Sequence, residues 1–377
     1  MKKTLSFFLA LCLVLSMSFT AFAGEKTKTE RVEEQIDGAV AYITDGVTAY
    51  TVDDAMDYYT LVSSGADMSQ FNDGFINSIK ANLDANSGKI IGAYGENLAT
   101  YGAVILTLFY LDLDPEDFQG YNIVSAFEAM DPTDTSVNPY YYRVIIPAAY
   151  IFAEDESFYR AICDTYVNTY YTMGQGMATG GYYCCDNTAY FIASMSVVAD
   201  EYPEVIADAF NVLESYHTDG GYFCDPAYGT EPNCDSTALA LMAYSCASIS
   251  DEDELDSYFA KANSVYEELC AFESDTPGVF ISSYTGAPDP YATKEALMAL
   301  NEYYFVAMAE ELFNKDGTDI EEEPTATVKN EATTNTTSKK DTSKKSPATG
   351  FGATGFALVL SACGAFGVTL FSKKKYE

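Results

Sequence analysis

A loop–helix unit occurs four times in this chain and limits the folds open to it more than any other feature. "SGKIIGAYGENLATYGAVILTL" begins at Ser87, "GGYYCCDNTAYFIASM" at Gly180, "GGYFCDPAYGTEPNCDSTALALMAY" at Gly220 and "PGVFISSYTGAPDPYATKEALMAL" at Pro277. Each joins a loop with Gly and an aromatic to Asp, Asn or Thr at a helix start, then to an Ala- and Leu-rich helix. Such a helix is apolar all round and must be enclosed by neighbours. The intervening segments, such as Glu204 to His217, are amphipathic and belong on the outside. Apolar residues recur three and four apart through most of residues 24–314, giving twelve helix candidates and no alternation that would suit a sheet. The expected fold is all-α: six inner and six outer helices closed into an α/α toroid, an α6/α6 barrel. The Gly pairs permit the turns. Asn187 and Asp235 are expected to cap their helices.

The ends have other roles. Lys2 and Lys3, the apolar run from Leu5 and the small residues Ala21 and Ala23 before Gly24 predict a signal peptide over residues 1–23. An uncleaved anchor is the other reading, but the run is short for a span of about 20 residues. Residues 315–345 are rich in Thr, Lys and Glu and bury too little to offset their ordering entropy, so a disordered stalk is expected. Phe351–Phe371 is uncharged and long enough for a transmembrane helix, with Lys373, Lys374 and Lys375 on its cytoplasmic side. Ser346, Pro347, Ala348, Thr349 and Gly350 precede it. Residues 346–377 thus resemble the sorting signal of Gram-positive wall proteins, with Ser at the position usually held by Leu. The resemblance implies that a sortase cuts between Thr349 and Gly350 and links Thr349 to peptidoglycan, after a membrane-anchored intermediate. A permanent membrane anchor is the alternative.

Residues 24–314 carry 48 acidic side chains against nine basic ones. That balance excludes nucleic acid and anionic lipid as partners, since both are held through Lys and Arg; its plain role is solubility outside the cell. Seven cysteines fall in the domain, Cys163, Cys184, Cys185, Cys224, Cys234, Cys246 and Cys270. Seven is odd, so at least one stays free or pairs with another chain.

The repeats resemble those of the prenyltransferase and squalene-cyclase superfamily, whose fold is the α/α toroid. The order of "VDDAMDYYTLVSSGADMS" and "ATYGAVILTLFYLDLDPEDFQGYNIVSAF" is similar to a group of exported bacterial proteins related to the cobalamin-carrier barrel, over Val52 to Tyr304. The enzymatic motifs of the superfamily transfer poorly. The cyclase acid motif D-x-D-D falls on Thr51, Val52, Asp53 and Asp54 and lacks its first acid. Asp53, Asp54 and Asp57 match D-D-x-x-D, but a diphosphate also needs cations, which are scarce. The zinc ligands of protein prenyltransferases would fall near Cys234 and Asp235, yet the chain's single histidine, His217, closes an outer helix.

Because equivalent loops are neighbours, Cys184, Cys185, Cys224 and Cys234 are expected on one rim, as a disulfide between loops, a zinc site or free thiols. The same rim carries Tyr182, Tyr183, Tyr222, Tyr228, Tyr284 and Tyr291, which either bind a ligand at the barrel mouth or fill its end. No Ser-His-Asp arrangement, phosphate loop or EF-hand is present. The expectation is therefore a wall-anchored surface protein, its toroid a binding or adhesion module with no catalytic activity, no cofactor and an unnamed extracellular ligand. A cyclase- or lyase-type enzyme using the barrel cavity, and a corrinoid-type carrier, are the rivals.

Overall fold

The computed structural model describes residues 26–224, 229, 231–247 and 255–316. The expected signal peptide, nearly all of the stalk, the sorting signal and Tyr228 lie outside these residues. Among the described residues no helix is long and apolar enough to cross a membrane.

Among the described residues twelve α-helices follow in sequence: α1 (Lys28–Thr44), α2 (Ala55–Ser63), α3 (Ser69–Ala85), α4 (Leu98–Tyr110), α5 (Ile123–Glu128), α6 (Tyr142–Phe152), α7 (Glu156–Tyr170), α8 (Cys185–Met195), α9 (Pro203–Glu214), α10 (Cys234–Ala247), α11 (Leu255–Cys270) and α12 (Pro290–Asp316). The even-numbered helices pack side by side in the order α2, α4, α6, α8, α10, α12. The ring closes where α12 meets α2: Asn301 Nδ2 donates to the Thr60 carbonyl at 3.1 Å and to Ser63 Oγ at 3.2 Å. The odd-numbered helices form the outer layer. The fold is the α/α toroid.

Composition explains which layer each helix joins. In α10 every described side chain from Cys234 to Ser245 is buried, because Ala, Ser and Leu leave no broad polar face. In the outer α3, Phe71, Phe75, Ile79 and Leu83 lie four apart and are the buried residues. Close approach of inner helices sets its own demand. A methyl group on Gly102 in α4 would lie 2.7 Å from the Val144 carbonyl oxygen in α6. Overpacking of that kind costs about 1–3 kcal/mol.

Two expectations change. A small antiparallel sheet, β1 (171–172), β2 (176–179) and β3 (182–183), leads into α8. It is too short to show an alternating pattern, and Gly176, at φ +89°, has its missing side chain facing Thr188 Oγ1. The helix caps also shift. Cys184 caps α8, accepting from the Asn187 amide at 3.4 Å, and Asn233 caps α10, accepting from the Ser236 amide at 3.2 Å. Asn187 and Asp235 sit inside those first turns and are free for other work.

Candidate functional site

The four repeats build the same joint. Four residues after each helix cap stands a buried side-chain hydroxyl, and it accepts a hydrogen bond from a backbone N–H in the segment that leads into the helix, which for α8 is strand β2. Tyr101 takes it from Ile90 at 3.0 Å, Thr188 from Met177 at 3.4 Å, Thr237 from Phe223 at 3.1 Å and Thr293 from Phe280 at 3.0 Å. The joint fastens each loop to the start of an inner helix. Together the loops form one end of the barrel, where the inner helices begin.

All the exposed large apolar side chains among the described residues lie at this end: Ile91 and Tyr94 before α4, Met173 and Tyr182 before α8, Tyr284 before α12, and Tyr291 in its first turn. Tyr182, Tyr284 and Tyr291 are 64%, 69% and 57% exposed. Tyr183 and Tyr222 are half-buried instead, and the Tyr183 hydroxyl lies 3.0 Å from Thr172 Oγ1. Tyr94 is a rim residue that the repeat pattern did not single out.

Inside the rim the barrel axis is polar. Along α12, Tyr291, Glu295, Met298 and Glu302 follow at spacings of four, three and four, which places them on one stripe. Glu295 is 3% exposed; its Oε1 lies 3.5 Å from the donating Tyr190 hydroxyl, and its Oε2 meets no donor. Asp235 on α10 is 8% exposed, and its Oδ1 is equally without a partner. Asp186 on α8 accepts from Ser236 Oγ at 2.6 Å.

Burial, then the charges of Asp186 and Asp235, push the Glu295 carboxyl up to about 8. Burial, then Asp186 and Asp289, push Asp235 up to about 6. Near neutral pH, Glu295 holds its proton while Asp235 has lost it. Neighbouring carboxyls with separated titrations suit general acid–base chemistry, one donating a proton while the other accepts one.

Asn187 lies behind this group. Its Nδ2 donates to the Tyr182 carbonyl at 2.7 Å, and its Oδ1 accepts from the Tyr140 hydroxyl at 2.6 Å. Tyr140 stacks on Tyr190, ring centres 4.6 Å apart. This fixes the ring whose hydroxyl faces Glu295.

Of the other residues singled out from sequence, the acids of the cyclase-like motifs lie elsewhere, while Cys234 sits beside Asp235 and Glu295. Asp54 closes a capping arrangement with Thr51, and Asp57 pairs with Lys294 at 3.0 Å. Cys184, Cys185, Cys224 and Cys234 are buried thiols. Among the described residues no group of three or more His, Cys, Asp or Glu is arranged to hold a metal ion. His217 lies 3.1 Å from Glu268 at the outer layer. Glu295 was missed because it stands within "YATKEALMAL", where Glu is an ordinary helix former. The signal that reveals it is an acid at a stripe position otherwise occupied by core residues.

No protein-family model and no curated sequence matches the chain. A solved structure described as a polysaccharide lyase matches in fold, with a TM-score of 0.51 and 12% identity, over 75% of this chain and 99% of that one. This overturns the expectation of a domain without catalysis. That expectation treated the toroid as a scaffold emptied of its superfamily's motifs, but the matched toroid belongs to an enzyme. Here the barrel mouth holds two buried carboxyl groups, Asp235 and Glu295, each with one oxygen that forms no hydrogen bond.

Proposed function

We propose that this chain is an exported glycan-cleaving enzyme that hydrolyses an uncharged polysaccharide at the aromatic end of its toroid. The observation that carries the reading is the pair Glu295 and Asp235. Each is buried, each keeps one oxygen without a donor, and the two titrate apart. Protonated Glu295 donates its proton to the glycosidic oxygen as the bond from C1 breaks. Ionised Asp235 takes a proton from the water that bonds to C1. Glu295 ends ionised and Asp235 protonated, and exchange with solvent restores both. Tyr182, Tyr284 and Tyr291 offer broad faces on which sugar rings stack, with hydroxyls for their polar edges.

The polysaccharide class is supported by the description of the matched fold, and hydrolysis by the charge of the site. Elimination from a uronate needs a cation to neutralise the sugar carboxylate; at this end Lys294 lies over the Tyr291 ring but is paired with Asp57, and Asp186, Asp235, Asp289 and Glu295 outweigh it. The terminal sequences support display on the cell wall through Thr349, so Thr349→Ala should release the protein from the wall.

The catalytic reading is tested by incubating the purified domain with neutral glucans, xylans and mannans and measuring new reducing ends. Glu295→Gln should lower turnover about 10²–10⁴-fold without lowering thermal stability. An inactive wild type across that panel, or cleavage of an added polyuronate to unsaturated uronides, would overturn it.

A further inference from the structure

A second polar chamber lies deeper along the same axis. Glu302 is seven residues beyond Glu295 on α12, about 10 Å along the helix. Here every inner helix contributes to a cavity of about 80 Å³, including Thr60, Leu106, Arg143, Met242, Asn301 and Glu302. The rim chemistry described above uses none of these residues.

Arg143 is out of place as a structural residue. Its Nη2 donates to Thr60 Oγ1 at 3.1 Å, and its guanidinium lies 5.7 Å from the Tyr59 ring centre. It forms no ion pair among the described residues, in a domain with 48 acids to nine bases. A guanidinium carries five N–H donors; the one carboxyl on the cavity wall, Glu302, feels the Arg143 charge but forms no ion pair with it, so most of those donors are uncommitted among the described residues. Asn301 supplies the second observation. It is 7% exposed, its Nδ2 is fixed on the Thr60 carbonyl and Ser63, and its Oδ1 has no donor. Arg143 and Asn301 are thus both pinned to Thr60, which sets an anion-binding donor beside an unfilled acceptor.

We propose that this cavity is a binding site for a small 2-hydroxy carboxylic acid: Arg143 takes the carboxylate, Asn301 Oδ1 accepts from the hydroxyl, and Leu106, Met242 and Met298 cover the alkyl part. A water occupies about 10–15 Å³ in this measure of volume, so the space suits about six non-hydrogen atoms. A monoanion fits better than a phosphate, because Glu302 lines the same wall. Burial raises the Glu302 carboxyl to about 7, and the nearby Arg143 charge and Cys246 thiol moderate the rise. A second negative charge on the ligand would meet that carboxyl. The acidic exterior is no barrier at ordinary salt, since its field is screened within about 8 Å.

The test is calorimetric titration of the purified domain with lactate, lactamide and inorganic phosphate. Lactate should bind saturably at millimolar concentration or below, and lactamide at least tenfold more weakly. Arg143→Gln should weaken lactate at least tenfold, and Arg143→Lys, which keeps the charge, by less. If Arg143→Gln fails to fold, the lactate-induced thermal shift of wild type against Arg143→Lys decides in its place. Glu295→Gln should bind lactate as wild type does, which keeps this result separate from any failure of the hydrolase reading. Equal binding of lactamide, tighter binding of phosphate, no saturation by lactate, or full affinity in Arg143→Gln would each overturn the proposal.

Discussion

Glu295 shows how one residue's environment can run against stability. Its carboxyl titrates near 8 in the fold, against about 4.3 in an unfolded chain. Between those values the folded state keeps a proton that the unfolded state has released. Its contribution to stability is therefore whole below about pH 4 and is lost as pH rises through 8. Glu295→Gln keeps the shape and removes the titration. Denaturant unfolding should show the variant equal to wild type near pH 4 and more stable by a few kcal/mol near pH 9. A stability gap that stays constant with pH would refute the buried, proton-holding carboxyl. A residue that destabilises the fold as pH rises fits the proposed catalytic role better than a structural one. Asp235 follows the same rule over a narrower range, because its shift ends near 6.

At the scale of elements, the sequence revealed the helices and their layers but hid the joints. Periodicity separates Phe71, Phe75, Ile79 and Leu83 of an outer helix from the unbroken small residues of α10, and that contrast suffices to place both. The loop Gly and aromatic residues were legible too. The hydroxyl four residues past each cap was not, because Tyr101 fills in the first repeat the place of Thr in the others, and only folding brings it to a loop N–H. Asp235 was taken as a cap because a carboxylate is at home near a helix start; Asn233, two residues earlier, holds that position. The joint predicts a specific cost. In Thr237→Val the buried Phe223 N–H loses its acceptor and the Asn233 carbonyl loses a donor from Thr237 Oγ1 at 2.7 Å. Unfolding free energy should fall by about 1–3 kcal/mol, while Thr237→Ser should recover most of it. Equal loss in both variants would show that the methyl, not the hydroxyl, matters.

Across the whole molecule, charge and architecture agree with the neutral substrate class proposed above. The chain carries a formal charge of −36 at neutral pH, and the barrel mouth adds to it with Asp186, Asp235 and Asp289 around the site. A field of that sign repels polyanions before any contact forms. It exerts no comparable force on a neutral glycan, whose capture the proposed function assigns to the apolar faces of Tyr182, Tyr284 and Tyr291. Salt separates the two cases, because screening shortens the field from about 30 Å at 0.01 M to about 3 Å at 1 M. Turnover of a neutral glycan at low concentration should change less than about twofold across that range. Any weak association with a polyuronate should appear only toward the high-salt end, where the repulsion has gone. Tyr284→Ala and Tyr182→Ala should weaken the neutral glycan by about 1 kcal/mol or more each if they are its principal contacts, and equally so at both salt concentrations. Preferential cleavage of a polyuronate at low salt would mean that cations at the mouth, not aromatic faces, govern capture, and the acid–base pair would then serve a different reaction.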